Sequence, residues 1–215
     1  MLVKDFYFNT ALILLGSYLT GAFPTAYIAG RLRGINILRS GTRNVGGMNT
    51  ISSVGAFYGI IVAVIDIGKG FLVVYLADRF SSGHPFIPLW ALVAVVIGHN
   101  WMVYIGFKGG KGVATLVGGL LFLSPWSILF LFLVFVPITF ILLKDSYLGT
   151  STGFFILGFF LWIWEGSVWW TVFGLMITAV YSIKCASLIR EYFTEKRRDI
   201  HPFLKKLFRP FFKDL

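Results

Sequence analysis

VGAFYGIIVAVIDIGKGFLVVYLA, residues 54–77, decides the fold. The run exceeds the ~20 apolar residues that carry a helix across a bilayer, and its only charged side chains are Asp66 and Lys69. Three residues apart, these two share one helical face. Ionisable groups at that depth are costly unless paired or turned toward a polar cavity, so the pair is either a functional site or an ion pair that fastens helices together.

The rest of the chain extends this pattern. Its 215 residues are 57% hydrophobic, 18% aromatic and 13% charged, with a mean hydropathy of +0.82, against about 25% charged in an ordinary soluble domain. Apolar runs cover residues 8–30, 54–77 and 86–105. Residues 112–143 are too long for one crossing, and Ser124-Pro125 supplies a break because proline lacks a backbone donor. Further runs end near residues 164 and 187, with Glu165-Gly166 as a tight connection between them. The first run is too long to be a cleaved signal and reads as an anchored helix.

These runs predict an all-α, polytopic integral membrane protein of about seven transmembrane helices, with the N-terminus outside and the C-terminus inside. Sixteen Lys and Arg then fall on the inner side and only Lys4 and Arg79 outside, as the positive-inside rule requires. A single membrane domain spans residues 1–190, and residues 191–215 read as a basic tail, either an amphipathic segment on the cytoplasmic leaflet or a disordered one. The net charge of +10 therefore reports topology and attraction for anionic lipid or phosphorylated solutes, not nucleic-acid binding. One cysteine, Cys185, excludes an intramolecular disulfide, and three dispersed histidines give no metal site. No cofactor is implied.

The unusual polar sequence lies on the inner side. Gly41-Thr42-Arg43-Asn44-Val45-Gly46-Gly47-Met48-Asn49 is dense in small and amide residues, which suits either close backbone approach to an anion or a flexible loop capping the next helix. Gly106-Phe107-Lys108-Gly109-Gly110-Lys111-Gly112 opens directly into a helix, where backbone donors and two lysines make a phosphate cradle. No Ser or Thr follows Lys111, so nucleotide hydrolysis is disfavoured. His99 and Asn100 close the preceding helix; alone, such a histidine reads as a cap.

Taken together, these segments resemble the PlsY family of bacterial acyl-phosphate:glycerol-3-phosphate acyltransferases. The resemblance is densest from Gly98-His99-Asn100 through Phe107-Lys108-Gly109-Gly110-Lys111-Gly112-Val113-Ala114-Thr115, and extends upstream through Arg31-Leu32-Arg33-Gly34, the residue 41–49 loop and Asp66-Ile67-Gly68-Lys69-Gly70. It implies transfer of a fatty acyl group from acyl phosphate to glycerol 3-phosphate, or a related phosphorylated polyol, giving lysophosphatidic acid and phosphate at the cytoplasmic face of the cell membrane. An acyl phosphate is already activated, so no Ser or Cys nucleophile is needed; the protein must hold two phosphates in register and neutralise the leaving one.

By this resemblance Lys69, His99 and Lys111 are the catalytic candidates. Thr42, Arg43, Asn44, Gly46, Asn49, Lys108, Gly109, Gly110 and Gly112 bind substrate phosphate, and Asp66 is a charge partner. Some family positions differ. Thr42, Arg43 and Gly47-Met48 replace Ser, Gly and Ala-Thr in the first motif; Ser52 stands where the family has arginine; and Ile183-Lys184-Cys185-Ala186-Ser187 stands where it has His-Arg-x-Asn-Ile. Two expectations follow: a divergent acyltransferase acting on glycerol 3-phosphate or a related phosphorylated polyol, or a non-catalytic lipid-phosphate binding or carrier protein on the same scaffold. A secondary transporter is a weaker third, for want of paired broken helices.

Overall fold

The computed structural model describes residues 3–81, 83–138, 143 and 145–193. Lys144 and the tail from residue 194 onward, where topology signals and an amphipathic segment are expected, lie outside the described residues. Among the described residues the chain is helical, in the order α1 (Val3–Gly21), α2 (Thr25–Leu32), α3 (Gly47–Ser53), α4 (Ala56–Phe80), α5 (Phe86–Asn100), α6 (Val113–Leu123), α7 (Pro125–Pro137), α8 (Ser146–Glu165), α9 (Trp169–Lys184) and α10 (Ala186–Phe193). Three stretches, Lys4–Leu32, Ala56–Phe80 and Ser146–Glu165, are long and apolar enough to cross a membrane; Phe86–Asn100, Val113–Leu123 and Pro125–Val134 are shorter apolar helices.

The chain clusters into two compact units, Met1–Pro125 and Trp126–Leu215. In the first, α4 packs against α6, α1 against α5, and α3 against α4. Without a hydrophobic driving force in lipid, helices associate through small residues that let backbones approach. Gly70 lies against the Thr115 carbonyl, Gly118 against the Ile67 backbone, and Gly98 against the Tyr18 carbonyl, so a Cβ at any of them would meet main chain. Helix α4 turns Gly59, Val62, Asp66, Lys69, Gly70 and Val73 inward and exposes Phe57, Ile60, Val64 and Leu72. A charged pair inside and an apolar surface outside is the distribution a lipid environment favours.

Two segments differ from the expected runs. The 8–30 run is broken, because α1 stops at Gly21 and α2 begins at Thr25. Pro24 between them has no amide hydrogen and disfavours helical geometry in the residue before it. The run expected to reach residue 105 ends as a helix at Asn100. Beyond it the chain doubles back through a short 3₁₀ turn, Val103–Ile105, and pairs Met102 with Lys108, whose carbonyl accepts from the Met102 amide at 3.2 Å. The expected break at Ser124-Pro125 is present, between α6 and α7.

In the second unit α8 packs against α9 where Gly158 and Gly174 face each other, and the Ser151 and Ser182 hydroxyls hydrogen-bond at 2.6 Å. Asp145 caps α8, its carboxylate accepting from the amides of Tyr147 at 2.9 Å and Leu148 at 2.7 Å.

Candidate active site

The centre of the first unit is a buried polar cluster. Asp66 and Lys69 form an ion pair at 2.9 Å and are 2% and 6% exposed. The Lys69 ammonium also donates to the Gly21 carbonyl at 2.9 Å and lies 2.9 Å from Nδ1 of His99, itself 3% exposed. The ammonium thus lies within hydrogen-bond reach of three protein groups, the Asp66 carboxylate, the Gly21 carbonyl and the His99 ring. Thr25 donates to the Asp66 carboxylate at 3.2 Å, and the Thr115 hydroxyl lies 3.4 Å from His99 Nδ1. A buried ion pair is tolerated only when further hydrogen bonds satisfy its remaining groups, and here Gly21, Thr25 and His99, from three other helices, supply them.

The break before Pro24 makes this arrangement possible. In a continuous helix the Gly21 carbonyl would accept from the Thr25 amide; instead that amide bonds to the Phe23 carbonyl at 3.1 Å, and the Gly21 oxygen turns to Lys69. Thr25 and Thr115 belong to the cluster although sequence reasoning gave them no role. The signal was present for each: a hydroxyl one residue after a proline within an apolar run, and another three residues past Gly112.

The residue 41–49 loop is organised by the buried side chain of Asn49. Its Oδ1 accepts from the Thr42 amide at 2.9 Å and from the Ser53 hydroxyl at 3.3 Å. Its Nδ2 faces the carbonyls of Asn44 at 2.9 Å, Ser40 at 3.1 Å and Ile37 at 3.4 Å. Thr42 and Arg43 are exposed, Asn44 is half-buried and Gly46 is buried at the start of α3. Arg43 adopts φ +59°, in the left-handed region that favours glycine. The neighbouring Ser52 hydroxyl is turned back onto the Asn49 carbonyl at 3.1 Å.

The glycine-lysine loop closes onto the same centre. The Gly110 amide donates to the His99 carbonyl at 3.0 Å. A Cβ on Gly110 would meet both Nε2 of His99 and the carbonyl of Val45, and one on Gly109 would meet the His99 and Asn100 carbonyls. Gly112, at φ +76°, precedes α6 and packs against Val96 and Asn100. Lys108 is exposed and Lys111 half-buried at this helix start. The structure therefore brings Asp66, Lys69, His99, the 41–49 loop and Gly109–Gly112 together. Ile183 and Ala186, at the positions of the third motif, are exposed in the second unit.

Comparison with known proteins agrees with the motifs. A family model described as glycerol-3-phosphate acyltransferase matches residues 11–195, and the chain belongs to that family. Glycerol-3-phosphate acyltransferase 2 of Moorella thermoacetica is 39% identical over 128 residues, which span 59% of this chain and 65% of that protein. Glycerol-3-phosphate acyltransferase 1 of Dehalococcoides mccartyi is 33% identical over 178 residues, 80% of this chain and 85% of that one. The crystal structure of PlsY, an integral membrane glycerol 3-phosphate acyltransferase, in its glycerol 3-phosphate form superposes with a TM-score of 0.77 at 28% identity, covering 93% of this chain and 98% of that chain. Its lysophosphatidic acid form gives 0.75 at 27%, covering 90% and 96%. The chain is accordingly an integral membrane protein of an acyltransferase family, and the carrier alternative is not favoured.

Proposed function

We propose that this chain is a membrane glycerol-3-phosphate acyltransferase of phospholipid synthesis that uses acyl phosphate as donor. A hydroxyl oxygen of glycerol 3-phosphate attacks the acyl carbon, the bond from that carbon to the phosphate oxygen breaks, and the hydroxyl proton leaves with the phosphate. The products are lysophosphatidic acid and inorganic phosphate. Because the donor is activated, catalysis reduces to holding two anionic groups in register and stabilising charge on the leaving one.

The observation that carries this reading is the meeting of both glycine-rich loops at Gly110, beside His99 and Val45, in a chain whose family match covers residues 11–195. Main-chain amides of Gly109, Gly112 and the start of α6 are the donors, with Lys108 and Lys111 as cations, while the Gly110 amide ties the loop to the His99 carbonyl. Arg43, Thr42 and Asn44 form the opposing rim, while Asn49 and Gly46 fix its shape. In this reading the chain crosses the cytoplasmic membrane seven times with the N-terminus outside, which places these cations at the cytoplasmic face.

Mass spectrometry of lipid formed by the purified protein from palmitoyl phosphate and a panel of phosphorylated polyols tests the assignment. Lysophosphatidic acid is the expected product with glycerol 3-phosphate. Consumption of acyl phosphate with no acylated acceptor in any arm would overturn it.

A further inference from the structure

Lys69 sits 2.9 Å from one nitrogen of His99, and that distance constrains the histidine. An ammonium has protons and no lone pair, so a nitrogen within hydrogen-bond reach of it must accept. The ammonium state is itself held by Asp66 at 2.9 Å and the Gly21 carbonyl at 2.9 Å, both of which are acceptors. A proton on His99 Nδ1 would instead face Lys69 head-on, leaving it only the Thr115 hydroxyl at the longer distance of 3.4 Å, with the Asp66 carboxylate 3.7 Å away and out of reach. The other ring nitrogen, Nε2, faces Gly110 of the glycine-lysine loop, next to the Val45 carbonyl.

We infer that Lys69 is a positioning residue: it fixes His99 in the neutral tautomer protonated on Nε2, so that a donor edge faces the junction of the two glycine-rich loops. Lys69 then acts on the reaction through His99 and the loop, not by touching substrate. Asp66 and the opened Gly21 carbonyl aim the lysine. This role deepens the acyltransferase reading and rests on it for its catalytic meaning, although the tautomer itself is a property of the protein without substrate.

The test is long-range proton–nitrogen NMR of the full-length protein in detergent, with nitrogen-15 in the histidine rings and the His99 signals identified by their loss in His99→Gln. The expected spectrum has Nδ1 unprotonated and Nε2 protonated, favoured by about tenfold or more, as one charge-assisted hydrogen bond supplies. A protonated Nδ1, whether as the other neutral tautomer or as imidazolium, would overturn the inference. The double variant Asp66→Asn/Lys69→Met removes the donor without stranding a carboxylate, and is expected to shift the tautomer ratio by about tenfold. An unchanged ratio would also overturn it. Because the wild-type spectrum needs no turnover, a protein inactive with glycerol 3-phosphate would sink the acyltransferase reading and leave the tautomer assignment standing.

Discussion

The Gly21 carbonyl accepts from the Lys69 ammonium at 2.9 Å across forty-eight residues of sequence, because Pro24 stops α1 one turn before that oxygen could be capped by its own helix. Pro24→Ala allows α1 and α2 to join and returns the oxygen to the Thr25 amide. Removing one acceptor from a buried ammonium costs ~1–3 kcal/mol. The expected outcome is a lower melting temperature in detergent and reduced turnover; an unchanged or higher melting temperature contradicts this role for the break.

Gly110 is where the loops close on His99, and a methyl group there has no room. Gly110→Ala is expected to lower kcat/KM by about 10² or more, the scale seen when a transition-state donor is displaced. Gly106→Ala is the comparison: Gly106 has positive φ, +70°, which Gly110 does not, but opens onto free space, so only the ~1 kcal/mol backbone cost applies. Equal losses in the two variants would contradict the tight contact at Gly110.

How much of this was readable beforehand depends on what each residue's partner is. The Asp66–Lys69 pair stood out because two charges on one face of an apolar run can hardly be incidental, and the motif from Gly98 to Thr115 located the loop. Pro24 was visible, yet hydropathy reads through a proline and says nothing about which carbonyl it releases. The end of α5 at Asn100 was hidden for a related reason: Trp101 to Ile105 continue the apolar run while the chain turns back, and hydropathy carries no direction. Asn49 was expected to bind phosphate, but composition cannot tell an amide aimed at a ligand from one that holds its own loop.

Asn49 makes that distinction measurable. Asn49→Asp keeps size but replaces the Nδ2 donor with an oxygen facing the carbonyls of Asn44 and Ser40. Each buried polar group left unmatched costs ~1–3 kcal/mol. Faster proteolytic cleavage within residues 41–49, at unchanged α-helix content by circular dichroism, is expected; an unaltered cleavage pattern would show that the loop does not depend on this side chain.

Arg43 couples strain to function. Its backbone, at φ +59°, sits where a non-glycine residue costs ~1–2 kcal/mol, so Arg43→Gly is expected to raise stability by about 1 kcal/mol while raising KM for glycerol 3-phosphate. Steady-state kinetics and thermal unfolding on the same sample separate the effects. A stabilised variant with unchanged KM would remove Arg43 from the acceptor site.

The central claim, that the start of α6 holds substrate phosphate, is tested most directly by phosphate release from palmitoyl phosphate with and without glycerol 3-phosphate, in wild type and Lys111→Ala. Release that requires glycerol 3-phosphate in the wild type and falls by about 10² or more in the variant is predicted. Release that is equal in the two proteins, or indifferent to glycerol 3-phosphate, would contradict it.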